Sequence, residues 1–131
     1  MKVSAKLKNG LDLHEVTVQT NEASRAIIIP PKATGRGSSI NGGELLMLAI
    51  ATCFCNDIHR EAAKRNINIQ QVEVTASGEF GAEGEPGSNF AYKADIKSDA
   101  PVAEIRDLVN YVDEIAEIHR TLRKGINVRL V

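Results

Sequence analysis

Between Leu45 and Cys55 the chain reads LLMLAIATCFC, a run with no charged side chain. Glu44 precedes it, and the segment NDIHREAAKRN carries the same helical pattern on to about Asn66 with an amphipathic distribution. A helix that is apolar on every side must be enclosed by protein rather than lie along a surface. The run is too short to span a bilayer, which needs roughly 18 or more apolar residues. Such a central helix must be covered from all directions, and that requirement constrains the fold more than any other feature.

The flanking segments read as strands and one further helix. KVSAKLK alternates Val3, Ala5 and Leu7 with polar residues, NGLD signals a turn, EVTVQT alternates again, and RAIIIP is a third apolar run stopped by Pro30 and Pro31. A loop rich in Gly and Ser follows, PKATGRGSSINGG, with Lys32 and Arg36 in it and with Asn41 or Ser39 placed to cap the central helix. After that helix, NIQQVEVTASGEF and NFAYKADIKS form a strand pair around the acidic loop GAEGEPGS. Pro101 opens a second helix in which Ile105, Leu108, Val112, Ile115, Ala116, His119 and Leu122 recur at steps of three and four. Gly125 ends it, and INVRLV reads as a closing strand. The order βββ–α–ββ–α–β, without repeat or linker, predicts one α+β domain over residues 1–131. One sheet covers one side of a helix, so complete burial predicts a homodimer in which each central helix packs against its twin.

Composition narrows the function. The net charge is -1 with charges of both signs interspersed, and there is no Trp and few other aromatic residues, so neither a nucleic-acid groove nor a membrane surface is expected. The start MKVSAKLKNG has no apolar centre of the kind a signal peptide carries, and two cysteines one residue apart make no disulfide framework. The expectation is a cytoplasmic protein without cofactor.

Cys53 and Cys55 point about 200° apart on a helix, so they cannot bridge while it persists. Four readings stand open. Cys53 is a nucleophilic thiol, which requires a cation or oriented donors, with Arg36, Arg25 or Arg60 available because Asp57 acts in the opposite sense. Alternatively, Cys55 and His59 form an i,i+4 thiol–imidazole pair. Cys55, His59 and His119 could instead hold a metal, although a helix does not present Cys53, Cys55, Asp57 and His59 on one face, and no metal is expected. Finally, both cysteines are packed hydrophobes, and His119 is a core histidine. Glu44 reads either as a first-turn acid complementing the helix dipole or as an acid that orients an arginine.

NGGELLMLAIATCFCNDI resembles the central-helix segment of the OsmC/Ohr family, in which a Glu-Leu-Leu run leads to a reactive cysteine, and Cys53 falls on that cysteine. IQQVEVTASGEF and AEIHRTLRKGINV resemble the strand and C-terminal segment that follow in the family. The resemblance implies an intertwined α+β homodimer with antiparallel sheets around a long buried central helix. It also implies reduction of small organic hydroperoxides, with Cys53, Glu44 and Arg36 in the site and an external thiol as reductant. Family members close the oxidised cysteine onto a second one; Ala116 stands at that position here, so the implied activity is that of a one-cysteine peroxidase. The first two strands carry no arginine, and His14 stands in that region. The competing function for the same fold is a module that binds a small apolar molecule, with both cysteines inert.

Overall fold

A computed structural model describes all residues from Met1 to Val131. They form two compact units, Met1–Glu44 and Leu45–Val131. The composition is α+β with antiparallel sheets, as the alternation patterns predict.

The first unit is a three-stranded meander, β1 (Val3–Gly10), β2 (Leu13–Thr20) and β3 (Ala23–Ile27), paired in sequence order. Two-residue connections join them: Gly10 faces Leu13 and Thr20 faces Ala23, with Asp12 and Asn21 in the left-handed region that such tight turns require. The alternation of Val3, Ala5 and Leu7 is real, yet these side chains are exposed, and Ile29 is the one buried residue of the unit. The Gly-rich loop closes on itself through Lys32 N–H to Gly37 O and Ser39 N–H to Pro30 O, and Asn9 Oδ1 accepts the Gly37 N–H. Helix α1 (Gly42–Lys64) then starts with a reciprocal cap: Asn41 Oδ1 accepts from Glu44 N–H at 2.9 Å, and Glu44 Oε2 accepts from Asn41 N–H at 2.8 Å. This pairing satisfies two backbone donors that a helix start otherwise leaves free.

In the second unit α1 ends in a Schellman arrangement. Asn66 takes φ 55°, Ile67 N–H reaches Ala62 O and Asn66 N–H reaches Ala63 O, and Ile67 is buried beside Ala62. Strands β4 (Ile69–Glu79) and β5 (Ser88–Ser98) pair antiparallel, with Val72 opposite Ile96, Val74 opposite Ala94 and Ala76 opposite Tyr92 on one face. That face meets Phe54, Ile58 and Ala62 of α1 and Leu108 and Val112 of α2 (Val102–Ile115), making a two-layer core. Gly78 lies at a register shift, where an added Cβ would stand 2.4 Å from the Phe90 ring.

Two expectations are corrected. The second helix is two helices, α2 and α3 (Glu117–Lys124), because Ala116 adopts ψ 116°. Alanine is the strongest helix former, so the break has no local signal; Ala116 is fully buried, and tertiary packing sets its conformation. Residues 126–131 form no strand: Gly125, in the left-handed region, ends α3 as predicted, but no neighbouring strand supplies a ladder, and Ile126, Val128 and Leu130 are exposed. As one covering sheet implies, α1 is not enclosed on every side within one chain. It buries Ile50, Phe54, Asp57, Ile58, Glu61 and Ala62, whereas Leu45 and Leu48 are exposed, since the second unit provides a single covering layer. No helix is long and apolar enough to cross a membrane.

Candidate functional site

Cys53 sits one residue before Phe54 on α1, at the edge of the buried stripe, and is half-buried against the core. The fourth residue on, Asp57, shares its face. The Cys53 thiol donates to Asp57 Oδ2 at 3.6 Å, and the other oxygen of that carboxylate accepts from Arg60 Nη1 at 2.5 Å. Arg60 also donates from Nε to Glu61 Oε1 at 2.9 Å, and Lys64 Nζ donates to the same oxygen at 2.8 Å. Asp57 and Glu61 are thus two buried carboxylates held by cations from their own helix, which is the arrangement that makes buried charge tolerable. Lys64, followed by Arg60, holds the Glu61 carboxyl below its ordinary range.

The break at Ala116 brings the first turn of α3 to the sulfur. Glu117 places its carboxylate near Cys53 Sγ. Cys53 Sγ and single carboxylate oxygens of Asp57 and Glu117 lie within 4.8 Å of one another. Burial pushes the Cys53 thiol above its ordinary value; the Ile118 N–H opposes this, while Asp57 and Glu117 add to it by disfavouring a neighbouring negative charge. At neutral pH the sulfur therefore carries its proton and donates it in the hydrogen bond to Asp57 Oδ2. The three donors are of a kind that binds divalent metals, but Asp57 is already engaged by Arg60 and a cation would have to compete with the guanidinium.

Cys55, His59 and His119 stand outside this cluster. Cys55 lines an open groove with Ala51, Thr52, Asn56 and Val74. His59 is exposed, so the structure shows no Cys55–His59 hydrogen bond and no Cys55–His59–His119 metal cluster. His119, on α3, is buried between the rings of Tyr92 (4.4 Å between centroids) and Phe54 (5.4 Å). Glu44 closes the helix cap and Arg36 lies in the Lys32–Gly37 loop, both in the first unit. Arg60 is the arginine that reaches the Cys53 network, through Asp57. Sequence reasoning missed Glu117 and Ile118, 64 and 65 residues from Cys53. The signal for them was the family resemblance, which puts the partner cysteine's position at the adjoining Ala116.

The sequence model of the OsmC-like protein family matches residues 35–131. Among solved structures, the chain is similar to an organic hydroperoxide resistance protein OsmC from Legionella pneumophila, 21% identical with a TM-score of 0.62 over 98% of this chain and 94% of that one. The organic hydroperoxide resistance protein OhrB of Bacillus subtilis is 19% identical, with a TM-score of 0.58 over 98% and 96% of the two chains. An OsmC-like protein from Mycoplasma pneumoniae is 18% identical, with a TM-score of 0.62 over 93% and 86%. None of the curated protein sequences matches the chain. At these identities the structural likeness is one of fold.

Proposed function

For a chain that belongs to the OsmC-like protein family, we propose a one-cysteine thiol peroxidase that reduces small organic hydroperoxides at Cys53. The observation that carries the reading is the chain of contacts Cys53–Asp57–Arg60, in which a half-buried thiol donates to a carboxylate that is paired with a guanidinium. A thiol whose own ionisation is disfavoured needs a base to become a nucleophile. The Ile118 N–H stabilises the developing thiolate. The names of the Legionella and Bacillus proteins lend the hydroperoxide its place as substrate.

The sulfur attacks the outer peroxide oxygen, the O–O bond breaks, and the departing alkoxide takes up the proton that Asp57 removed, leaving an alcohol and a Cys53 sulfenic acid. Sulfur loses two electrons and the peroxide gains them. One external thiol then condenses with the sulfenic acid to a mixed disulfide, releasing water. A second displaces Cys53 as thiol and leaves with the first as a disulfide. With Ala116 in place of a second cysteine, both reducing equivalents come from outside. The reading includes a cytoplasmic setting, which suits two unbridged cysteines, and a homodimer, which the exposed Leu45 and Leu48 and the apolar side chains of the first sheet support.

The rival reading, a non-catalytic module for small apolar molecules, is favoured by the upward displacement of the Cys53 ionisation. Consumption of cumene hydroperoxide with excess dithiothreitol separates the two. Turnover above the dithiol background, retained in Cys55→Ser and abolished in Cys53→Ser, is expected. Absence of turnover in the parent protein would leave the rival.

A further inference from the structure

Glu117 is the one charged group at the Cys53 sulfur that no partner neutralises. Asp57 is held by Arg60, and Glu61 by Arg60 and Lys64, so the four α1 charges of this network sum to zero. Glu117, in the first turn of α3, forms no ion pair, and neither does Arg120 one turn further on. Its carboxylate still places an oxygen within 4.8 Å of Cys53 Sγ. Cys53 packs against the core and Asp57 beside it is buried, whereas Glu117 is exposed. A molecule that reaches the sulfur from solvent therefore meets a lone negative charge.

The chain offers no second thiol to a Cys53 sulfenic acid. Cys55 lies on another face of α1, and Ala116 is the residue that adjoins Glu117. Two external thiols must come to the sulfur in turn. The first forms a disulfide with Cys53 and releases water; the second bonds to the first and frees Cys53 as a thiol. In both steps negative charge builds on the incoming sulfur beside Glu117. A carboxylate on the same small thiol adds to the repulsion, and an ammonium relieves it. At about 6 Å in water one such pair of unit charges is worth about threefold in rate, so the span from cation to anion is about tenfold. An uncharged hydroperoxide is not discriminated in this way.

We infer, on the peroxidase reading proposed above, that Glu117 selects the reductant by charge: the thiol that reduces Cys53 is a small molecule with a neutral or cationic body, and thiols bearing a carboxylate close to the sulfur are disfavoured.

The test uses the reduced Cys55→Ser protein and three symmetrical disulfides: cystamine, which is cationic, bis(hydroxyethyl) disulfide, which is neutral, and dithiodipropionate, which is anionic. Formation of the Cys53 mixed disulfide is followed by intact mass. This exchange is the reverse of the last reductive step, passes through the same transition state, and needs no hydroperoxide. Each rate is divided by that of N-acetylcysteinamide with the same reagent, which removes intrinsic reactivity. The normalised rates should fall in the order cationic, neutral, anionic, over about tenfold at low salt. Adding Glu117→Gln should shrink the span to about threefold or less, as should about 1 M sodium chloride without that substitution. Glu83→Gln, in the β4–β5 loop, should leave the span unchanged. Equal normalised rates, a span that neither Glu117→Gln nor salt reduces, or a sulfur that none of the three reagents modifies would overturn the inference. Hydroperoxide consumption is measured apart from this exchange, so charge selection and peroxidase activity stand or fall separately.

Discussion

The two units of this chain make an instructive pair. Both contain antiparallel strands with clean apolar–polar alternation, yet only the second has a core. In β4 and β5 the inward residues Val72, Val74, Tyr92, Ala94 and Ile96 meet Phe54, Ile58, Leu108 and Val112, four side chains with essentially no exposed surface. In β1 and β3 the equivalent apolar positions face solvent, with Val3 68%, Leu7 56% and Ile27 43% exposed. Alternation thus reports that a sheet has a face to bury; it does not say what covers that face. A three-stranded sheet gains little unless its apolar face is packed, and a second copy of the chain is the cover proposed above.

Substitutions in the two units should have very different consequences. Truncating the second unit's core has the largest effect: Phe54→Ala should cost about 3–5 kcal/mol in denaturant unfolding, and a cost below 1 kcal/mol would mean that this core is not the one holding the unit. Next, Leu7→Asp should convert a species of twice the chain mass to one of single mass in sedimentation, whereas unchanged mass would detach the first sheet from any dimer contact. Removing the α1 cap with Asn41→Ala should cost about 1 kcal/mol, measured by the same unfolding experiment.

Effects at the thiol are smaller in energy but more specific. Alkylation of Cys53 by iodoacetamide should rise with pH along a curve whose midpoint lies above the ordinary thiol value of 9.0. Glu117→Gln should move that curve downward and speed alkylation at pH 7.5, with stability changed by less than about 0.5 kcal/mol because Glu117 is exposed. A curve unmoved by Glu117→Gln would remove that carboxylate from the site. The mildest effect concerns acid. A buried neutral imidazole contributes stability that is complete above its unfolded-state value of 6.5 and is lost as pH falls through the lowered folded-state value. The melting temperature should therefore decline on acidification below pH 6.5, and His119→Phe should flatten that decline, in a range well above the one where Glu61 protonates.

Much of this architecture is written locally. Asn41 and Glu44 spell a capping box, Gly125 marks the end of α3, and the spacing of Leu108, Val112 and Ala116 gives the buried stripe. What is not legible depends on long-range packing. Ala116 interrupts a helix that its own sequence favours, and INVRLV has the pattern of a strand without a neighbour to pair with. The site divides in the same way: Asp57 is visible as the fourth residue after Cys53, while Glu117 and Ile118 arrive only because the chain turns at Ala116. Arg60 was one of three arginines in view; its choice of Asp57 as partner fixes its role, and spacing alone does not.

In the proposed reaction Cys53 is the atom-transfer centre. The most direct test of that role is single-turnover oxidation of the reduced protein with one equivalent of cumene hydroperoxide, followed by a sulfenic-acid trap and fragment mass spectrometry. The adduct should form on Cys53, be retained in Cys55→Ser and be slowed in Asp57→Asn. An adduct on Cys55 alone, or no oxidation of either cysteine while the hydroperoxide persists, would contradict it.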